Sequence, residues 1–156
     1  MNTIGPIYHR SKHWHAHELV IAIDEIPLDQ ILSRFSPELD GLFPAFYDDL
    51  MSEDERRIVW ERIIPAPGEQ TRAPVLICPD DGDLSCCVVI AEIVGERDTI
   101  RWLRLGTDAT EDRRSHLGDT VSWISDVGPF AFCRNDYEDF VRELRSLTTF
   151  DNDVST

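Results

Sequence analysis

Short apolar segments separated by turn residues run along the chain and predict β-strands. The first lies between Glu18 and Asp24 and is apolar between these charged ends, as expected of a largely buried strand. Five further segments are rich in the β-branched and aromatic residues that favour strands: Val75–Cys78, Cys86–Val94, Thr99–Leu105, Thr120–Ser125 and Phe130–Cys133. Residues 95–98 have the composition of a hairpin connection, so we expect antiparallel pairing across them.

Helical signals separate these strands in the first half of the chain. Pro27 is placed to begin a short helix that Ser36–Pro37 would end. Ser52 with Glu55 is a capping box, in which each residue satisfies a backbone amide of the other, and it predicts the start of a second helix. Prolines follow that helix, so residues 65–73 are predicted to form a loop.

A third helix is predicted near the C-terminus, where Asn135 with Glu138 repeats the capping pattern ahead of a periodic apolar face. The fold class is therefore α+β: a mostly antiparallel sheet of about five or six strands with two or three packed helices, including a C-terminal one. We interpret residues 1–156 as one domain, 1–16 as a flexible N-terminal segment and 148–156 as a frayed acidic tail.

Charge narrows the possible partners. Thirty acidic residues against fifteen basic ones give a formal net charge of −15, which disfavours binding to DNA, RNA or an anionic membrane. Complementary fields speed association, so a basic protein is the favoured partner; the alternative is that the acidity serves only solubility. The apolar runs are far shorter than the roughly 20 residues of a membrane-spanning helix, and the N-terminus lacks a signal-peptide pattern, so we expect a cytoplasmic protein.

Three acidic stretches are the expected recognition surface: the turn at residues 79–85, the connection at 106–119 and the tail. The partner-binding residues predicted there are Asp80, Asp81, Asp83, Asp108, Glu111 and Asp112. Three carboxylates within 80–83 could hold Ca²⁺ or Mg²⁺. The EF-hand spacing is absent, however, and Asp and Gly are ordinary turn residues, so we interpret 79–85 as a turn that presents negative charge.

Three histidines near the N-terminus offer a second kind of chemistry. His13, His15 and His17 alternate along the chain, so an extended backbone would place their imidazoles on one face. Zinc or nickel could bind there if another group closed the site, because side chains on one face of a strand diverge. The alternative is a solvated histidine cluster.

The four cysteines, Cys78, Cys86, Cys87 and Cys133, lie in apolar or strand-like segments. In that setting a free cysteine behaves as a small buried hydrophobe, so we expect reduced core thiols. The Cys-x-x-Cys pair of zinc knuckles and thioredoxin-type motifs is absent, and a Cys78–Cys133 disulfide stays open as an alternative.

The C-terminal half resembles small bacterial proteins of the polymorphic-toxin immunity kind. The resemblance is carried by the order of these segments: Pro74–Cys78, an Asp-rich turn, Cys86–Val94, Thr99–Trp102, Val121–Ile124 and Pro129–Tyr137. It implies a cytosolic protein that neutralises a toxin by binding it, and it brings no catalytic motif.

The leading hypothesis is therefore a non-enzymatic, acidic immunity or inhibitor-type protein that binds a basic partner such as a toxin and needs no cofactor. One alternative is a metal-binding protein or small metal-dependent enzyme that uses the histidine cluster. Another is a structural or subunit-like domain whose acidity serves solubility only.

Overall fold

A computed structural model of the chain describes residues 1–9, 18–47, 50–111 and 116–149 and shows an α+β fold. These ranges contain an antiparallel sheet of three strands, an antiparallel sheet of six strands and three α-helices. The predicted fold class, including its C-terminal helix, is confirmed. None of the helices in these ranges combines the length and the apolar character needed to cross a membrane.

The smaller sheet joins β1 (Ile4–His9), β2 (Glu18–Ile23) and β3 (Ile26–Pro27) in that order. β2 is the strand predicted from the first apolar run, and every residue after Glu18 in it is buried. β1 was not predicted, because it lies in the segment expected to be flexible and contains a glycine and a proline, which weaken strand signals. It nevertheless pairs with β2 along its whole length, from Ile4 opposite Ile23 to His9 opposite Glu18.

The larger sheet contains the strands of the second half of the chain. These are β4 (Phe43–Pro44), β5 (Gln70–Ile77), β6 (Val88–Gly95), β7 (Thr99–Asp108), β8 (Val121–Trp123) and β9 (Phe130–Cys133). Their order is β4-β5-β6-β7-β8, and β9 pairs with the first part of β7 while β8 pairs with its last part. The predicted connection after Gly95 does join an antiparallel pair, β6 and β7.

One predicted loop is partly strand. Residues 65–73 were expected to be irregular, but β5 begins at Gln70 and pairs with β6, with Thr71 opposite Ile93 and Arg72 opposite Glu92. The start of β5 was missed because Gln70, Thr71 and Arg72 are polar and give no strand signal. These residues form a strand by pairing with β6, about 20 residues further along the chain. Within β6 nearly every residue is buried, as expected of a central strand covered on both faces.

The helices are α1 (Leu28–Ser33), α2 (Glu53–Arg62) and α3 (Arg134–Thr149), with a short 3-10 helix at Pro37–Leu39. α1 follows Pro27 as predicted, and the capping box at the start of α2 is confirmed. α3 begins at Arg134, directly after β9, rather than behind a cap at Asn135. The helix continues through the first two residues of the predicted tail, and residues 150–156 lie outside the described ranges.

A chain of buried hydrogen bonds joins the sheet to two helices. The indole Nε1 of Trp102 donates to the hydroxyl of Tyr137 at 3.2 Å, and that hydroxyl donates to the carbonyl of Ile63 at 2.8 Å. All three residues are fully buried or nearly so. Burial raises the pKa of Tyr137, so the phenol stays protonated and available to donate.

Two further contacts fix the smaller sheet against the larger one. The hydroxyl of Tyr47 donates to the carbonyl of Leu19 at 2.8 Å and accepts from the amide of Leu19 at 3.0 Å. The side-chain oxygen of Asn2 accepts from the amide of Ala131 at 2.9 Å, and the amide of Asn2 donates back to the carbonyl of Ala131 at 2.8 Å. β2 is therefore bonded to the segment that follows β4, and β9 is bonded to the residues that precede β1.

Candidate functional site

The acidic turn predicted at 79–85 connects β5 to β6, and its carboxylates divide into two kinds. Asp80 and Asp81 are exposed. Asp83 is partly buried and accepts hydrogen bonds from the amide and the hydroxyl of Ser85, a local arrangement typical of aspartate in turns. The structure therefore presents two of the three predicted carboxylates directly to solvent.

A single glutamate joins this turn to the start of α2. One carboxylate oxygen of Glu55 accepts from the amide of Ser52 at 3.0 Å, which is half of the capping box. The other oxygen accepts from the amide of Leu84 at 2.8 Å, and Leu84 is buried. This bond joins the turn to the start of α2. We call the carboxylates of these two elements the acidic face: Glu53, Asp54, Glu55, Glu61, Asp80, Asp81 and Asp83.

Contact from the segment before α2 also holds the turn in place. Gly82 has a φ of +66°, and a Cβ there would lie 2.7 Å from a side-chain carbon of Leu50. Leu50 is itself 70% exposed. Glycine at this position therefore gives both the left-handed turn and room for Leu50 to lie over it.

An open groove of about 710 Å³ runs between α2 and the turn. Its lining is Ser52, Asp54, Glu55, Arg57, Ile58, Glu61, Arg62, Leu84, Ser85 and Leu117. The two arginines have partners within the protein. Arg57 pairs with Asp54 at 3.4 Å, and Arg62 donates to the carbonyls of Leu117 and Arg72.

The second predicted acidic segment does not form a comparable surface. Asp108 is the last residue of β7, only 8% exposed, and its carboxylate accepts from the amide of Gly118 at 2.9 Å and from the hydroxyl of Thr110 at 2.7 Å. The expectation that Asp108 faces a partner is corrected by this burial, because its charge is used to hold the connection that follows β7. Glu111 is exposed, whereas Asp112 lies outside the described ranges.

The predicted histidine site also falls outside the described residues. His13, His15 and His17 belong to the segment that links β1 to β2, and only the paired ends of that segment, His9 and Glu18, are described. Metal binding by the three histidines stays a prediction from the sequence.

A charged cluster on the sheet was not predicted at all. Glu92 of β6 is 5% exposed and pairs with Arg72 of β5 at 3.1 Å and with Arg104 of β7 at 3.1 Å. Both guanidinium groups lie over the ring of Trp123, with the Cζ atom of Arg104 3.9 Å and that of Arg72 5.2 Å from the ring centroid. A glutamate inside the apolar run of β6 was the available signal, since a buried charge requires partners.

The electrostatics of this cluster keep Glu92 ionised. Burial alone would raise the pKa of Glu92, but hydrogen bonds and positive charge from Arg104 and Arg72 outweigh it, so the pKa lies below its ordinary value. Arg72 also donates to the carbonyls of Gly118 and Asp119 at 3.0 and 3.2 Å. The cluster thus holds the connection between β7 and β8 through Arg72. Its positive and negative charges pair with one another.

No protein-family model matches the chain, and comparisons with curated proteins and with solved structures find no match either.

Proposed function

We propose that the protein is a non-enzymatic binding protein that recognises a basic protein through the acidic face. The observation that carries this proposal is the bond from Glu55 to the amide of Leu84, which sets the turn that bears Asp80 and Asp81 beside the acidic start of α2. The acidic face thus combines carboxylates from two segments that are distant in the sequence and are joined by this bond.

Charge distribution supports the same function. Some acids of the acidic face have partners within the protein, since Glu55 and Asp83 are bonded to the backbone and Asp54 pairs with Arg57. Asp80, Asp81 and Glu61 are exposed to solvent. A net charge of −15 strengthens the field around this surface and favours rapid association with a positively charged partner.

An inhibitor or immunity role is the specific form of this proposal. It rests on the resemblance of the C-terminal half to immunity proteins of polymorphic toxins and on the groove beside the acidic face. A basic side chain from the partner could enter the groove, where Asp54 and Glu61 offer carboxylates and Ile58 offers apolar contact. The partner's own site would then be covered by a negatively charged surface.

The test is binding of the product of the adjacent gene to the purified chain, measured over a range of salt concentrations. We expect tight association whose affinity decreases steeply with salt, because interactions between exposed charges are screened. Association that is absent, or that does not change with salt, would contradict the proposal.

Two double variants locate the surface. Asp80→Lys with Glu61→Lys reverses two exposed charges on the acidic face. Glu96→Lys with Glu143→Lys makes the same change in net charge on the β6–β7 connection and on α3. We expect the first pair to slow association by about tenfold or more and the second to have a much smaller effect. Equal effects would indicate that net charge alone, and not the acidic face, governs binding.

A further inference from the structure

Two thiols and a carboxylate converge where β5 passes into β6. The Sγ atoms of Cys78 and Cys86 and one carboxylate oxygen of Asp81 all lie within 4.8 Å of one another. The cysteines were expected to be buried core thiols, but Cys78, Cys86, Cys87 and Cys133 are all partly exposed. An ion from solvent could therefore reach this group of donors.

The backbone, and not only the side-chain conformations, brings the three donors together. Ile77 and Val88 are paired across β5 and β6, so Cys78 and Cys86 lie just beyond the same end of this strand pair. The amide of Gly82 donates to the carbonyl of Cys78 at 3.0 Å, which closes the turn and brings Asp81 back toward both thiols. The positions of the donors thus follow from the strand register and the turn.

The donor set has the chemistry of a site for a thiophilic divalent cation. Thiolates select soft or borderline ions such as Zn²⁺, and a carboxylate is a common additional ligand. Two thiolates on one tetrahedral Zn²⁺ are about 3.8 Å apart, given Zn–S bonds of about 2.3 Å. The three donor atoms lie within 4.8 Å of one another, so modest side-chain rotations would bring the two sulfurs to this separation, with water as a fourth ligand.

The thiol of Cys86 already interacts with the prospective partners. A hydrogen bond to the carboxylate of Asp81 raises the pKa of Cys86, because the carboxylate stabilises the protonated thiol. A cation among the three groups has the opposite effect: it replaces the thiol protons and stabilises the thiolates.

We propose that Cys78, Asp81 and Cys86 form a binding site for a thiophilic divalent cation of the Zn²⁺ type. One proton leaves each thiol for solvent as the ion binds, while Asp81 binds as the carboxylate. Asp80, which is exposed beside the site, adds negative potential that attracts the cation. This site goes beyond the proposed function, since recognition of a basic protein by the acidic face does not require it.

The test uses untagged, fully reduced protein and Co²⁺ as the spectroscopic substitute for Zn²⁺. We expect one equivalent of Co²⁺ to produce a sulfur-to-cobalt charge-transfer band in the near ultraviolet, and Zn²⁺ to abolish it. Ligation by His13, His15 and His17 alone would give no such band, so the readout separates this site from the histidine cluster. Absence of the band would overturn the proposal.

Matched variants assign the ligands. Cys78→Ser and Cys86→Ser should each weaken the band, because one of the two thiolates is lost, and should weaken Zn²⁺ binding by more than the ~100-fold that loss of an outer-shell partner causes. Asp81→Asn should retain the band and weaken binding less, because it removes a charged ligand but leaves both thiols.

Cys133→Ser is the control, and it should bind Zn²⁺ as the unmodified chain does. Circular dichroism of each variant checks that it is folded. A band of unchanged intensity in folded Cys78→Ser or Cys86→Ser protein, or loss of the band in Cys133→Ser, would refute the assignment.

Discussion

The Glu92 cluster on the sheet and the acidic face differ in where their carboxylates lie, buried in the first and mostly exposed in the second. In the cluster on the sheet, Glu92 is buried and surrounded by Arg72 and Arg104, which in turn cover Trp123. On the acidic face, Asp80 and Asp81 project into solvent from a turn. Both regions contain carboxylates, but Glu92 is buried between the arginines of neighbouring strands, whereas Asp80 and Asp81 are exposed to solvent.

The comparison shows why net charge is an incomplete guide to function. Asp29, Glu92 and Asp108 are the described acidic residues that are buried. Asp29 accepts from the amide of Gly41 at 2.9 Å, and Asp108 accepts from the amide of Gly118 at 2.9 Å, so each holds a connection in place. Under the proposed function, only exposed acids such as Asp80 are available for recognition of a partner.

The largest expected change in the free energy of unfolding comes from a substitution in the Glu92 cluster on the sheet. Glu92→Gln removes the charge that faces both arginines, and we expect the free energy of unfolding to fall by about 2 kcal/mol, less than the roughly 3–5 kcal/mol of a fully buried pair because the arginines are partly exposed. Urea denaturation at neutral pH measures this change. A loss below about 0.5 kcal/mol, the range of ordinary surface substitutions, would show that the cluster is not a stabilising unit.

The same cluster should respond to acid. The pKa of Glu92 in the folded protein lies below its ordinary value of 4.5, so its contribution to stability is fully present above that pH. As the pH falls below 4.5, the unfolded chain binds the proton first, and the contribution is lost as the pH passes through the folded pKa. The difference in unfolding free energy between the unmodified chain and Glu92→Gln should therefore be constant near neutral pH and shrink in acid, whereas a difference that grows in acid would contradict the assignment.

An intermediate effect is expected from Glu55, whose side chain connects the 79–85 turn to the start of α2. Glu55→Gln leaves one carbonyl oxygen to serve the amides of both Ser52 and Leu84, so we expect a loss of about 1 kcal/mol in unfolding free energy. Hydrogen exchange at the Leu84 amide should accelerate more than exchange in β6. Unchanged exchange at Leu84 would mean that Glu55 does not hold the turn.

The smallest change in the free energy of unfolding is expected from a substitution on the acidic face. Asp80→Asn removes one exposed charge with no described hydrogen bond, and unfolding free energy should change by less than about 0.5 kcal/mol. Thermal denaturation of Asp80→Asn, Glu92→Gln and the unmodified chain under the same conditions measures the difference between the two substitutions. If Asp80→Asn and Glu92→Gln destabilised the protein equally, the exposed carboxylate would matter as much for stability as the buried one, which would contradict the comparison.

Local patterns predicted most of the fold. The apolar runs located β2 and the central strands of the larger sheet, and the capping box located α2, because both signals depend on residues close together in the sequence. β1 and the start of β5 were missed because their sequences are mixed or polar and they become strands through pairing with distant partners. Register between strands is a tertiary property that composition does not show.

The sequence predicted the acidic turn of the candidate site but not the contacts that hold the turn in place. The turn with Asp80 and Asp81 was identified from its composition, but its attachment to α2 depends on Glu55, whose second oxygen reaches an amide far along the chain. Asp108 was placed on the surface because its sequence neighbours are polar, whereas it ends a strand and is buried. The convergence of Cys78 and Cys86 required the register of β5 against β6.

The hydrogen bond between Trp102 and Tyr137 gives the protein an optical reporter of its own core. The indole of Trp102 is fully buried, and its N–H is bonded to a phenol rather than to water. Its fluorescence should lie toward the blue in the folded state and shift to the red when water reaches the ring. Because Tyr137 also bonds the carbonyl at the end of α2, loosening of that helix end can alter the emission before the sheet itself comes apart.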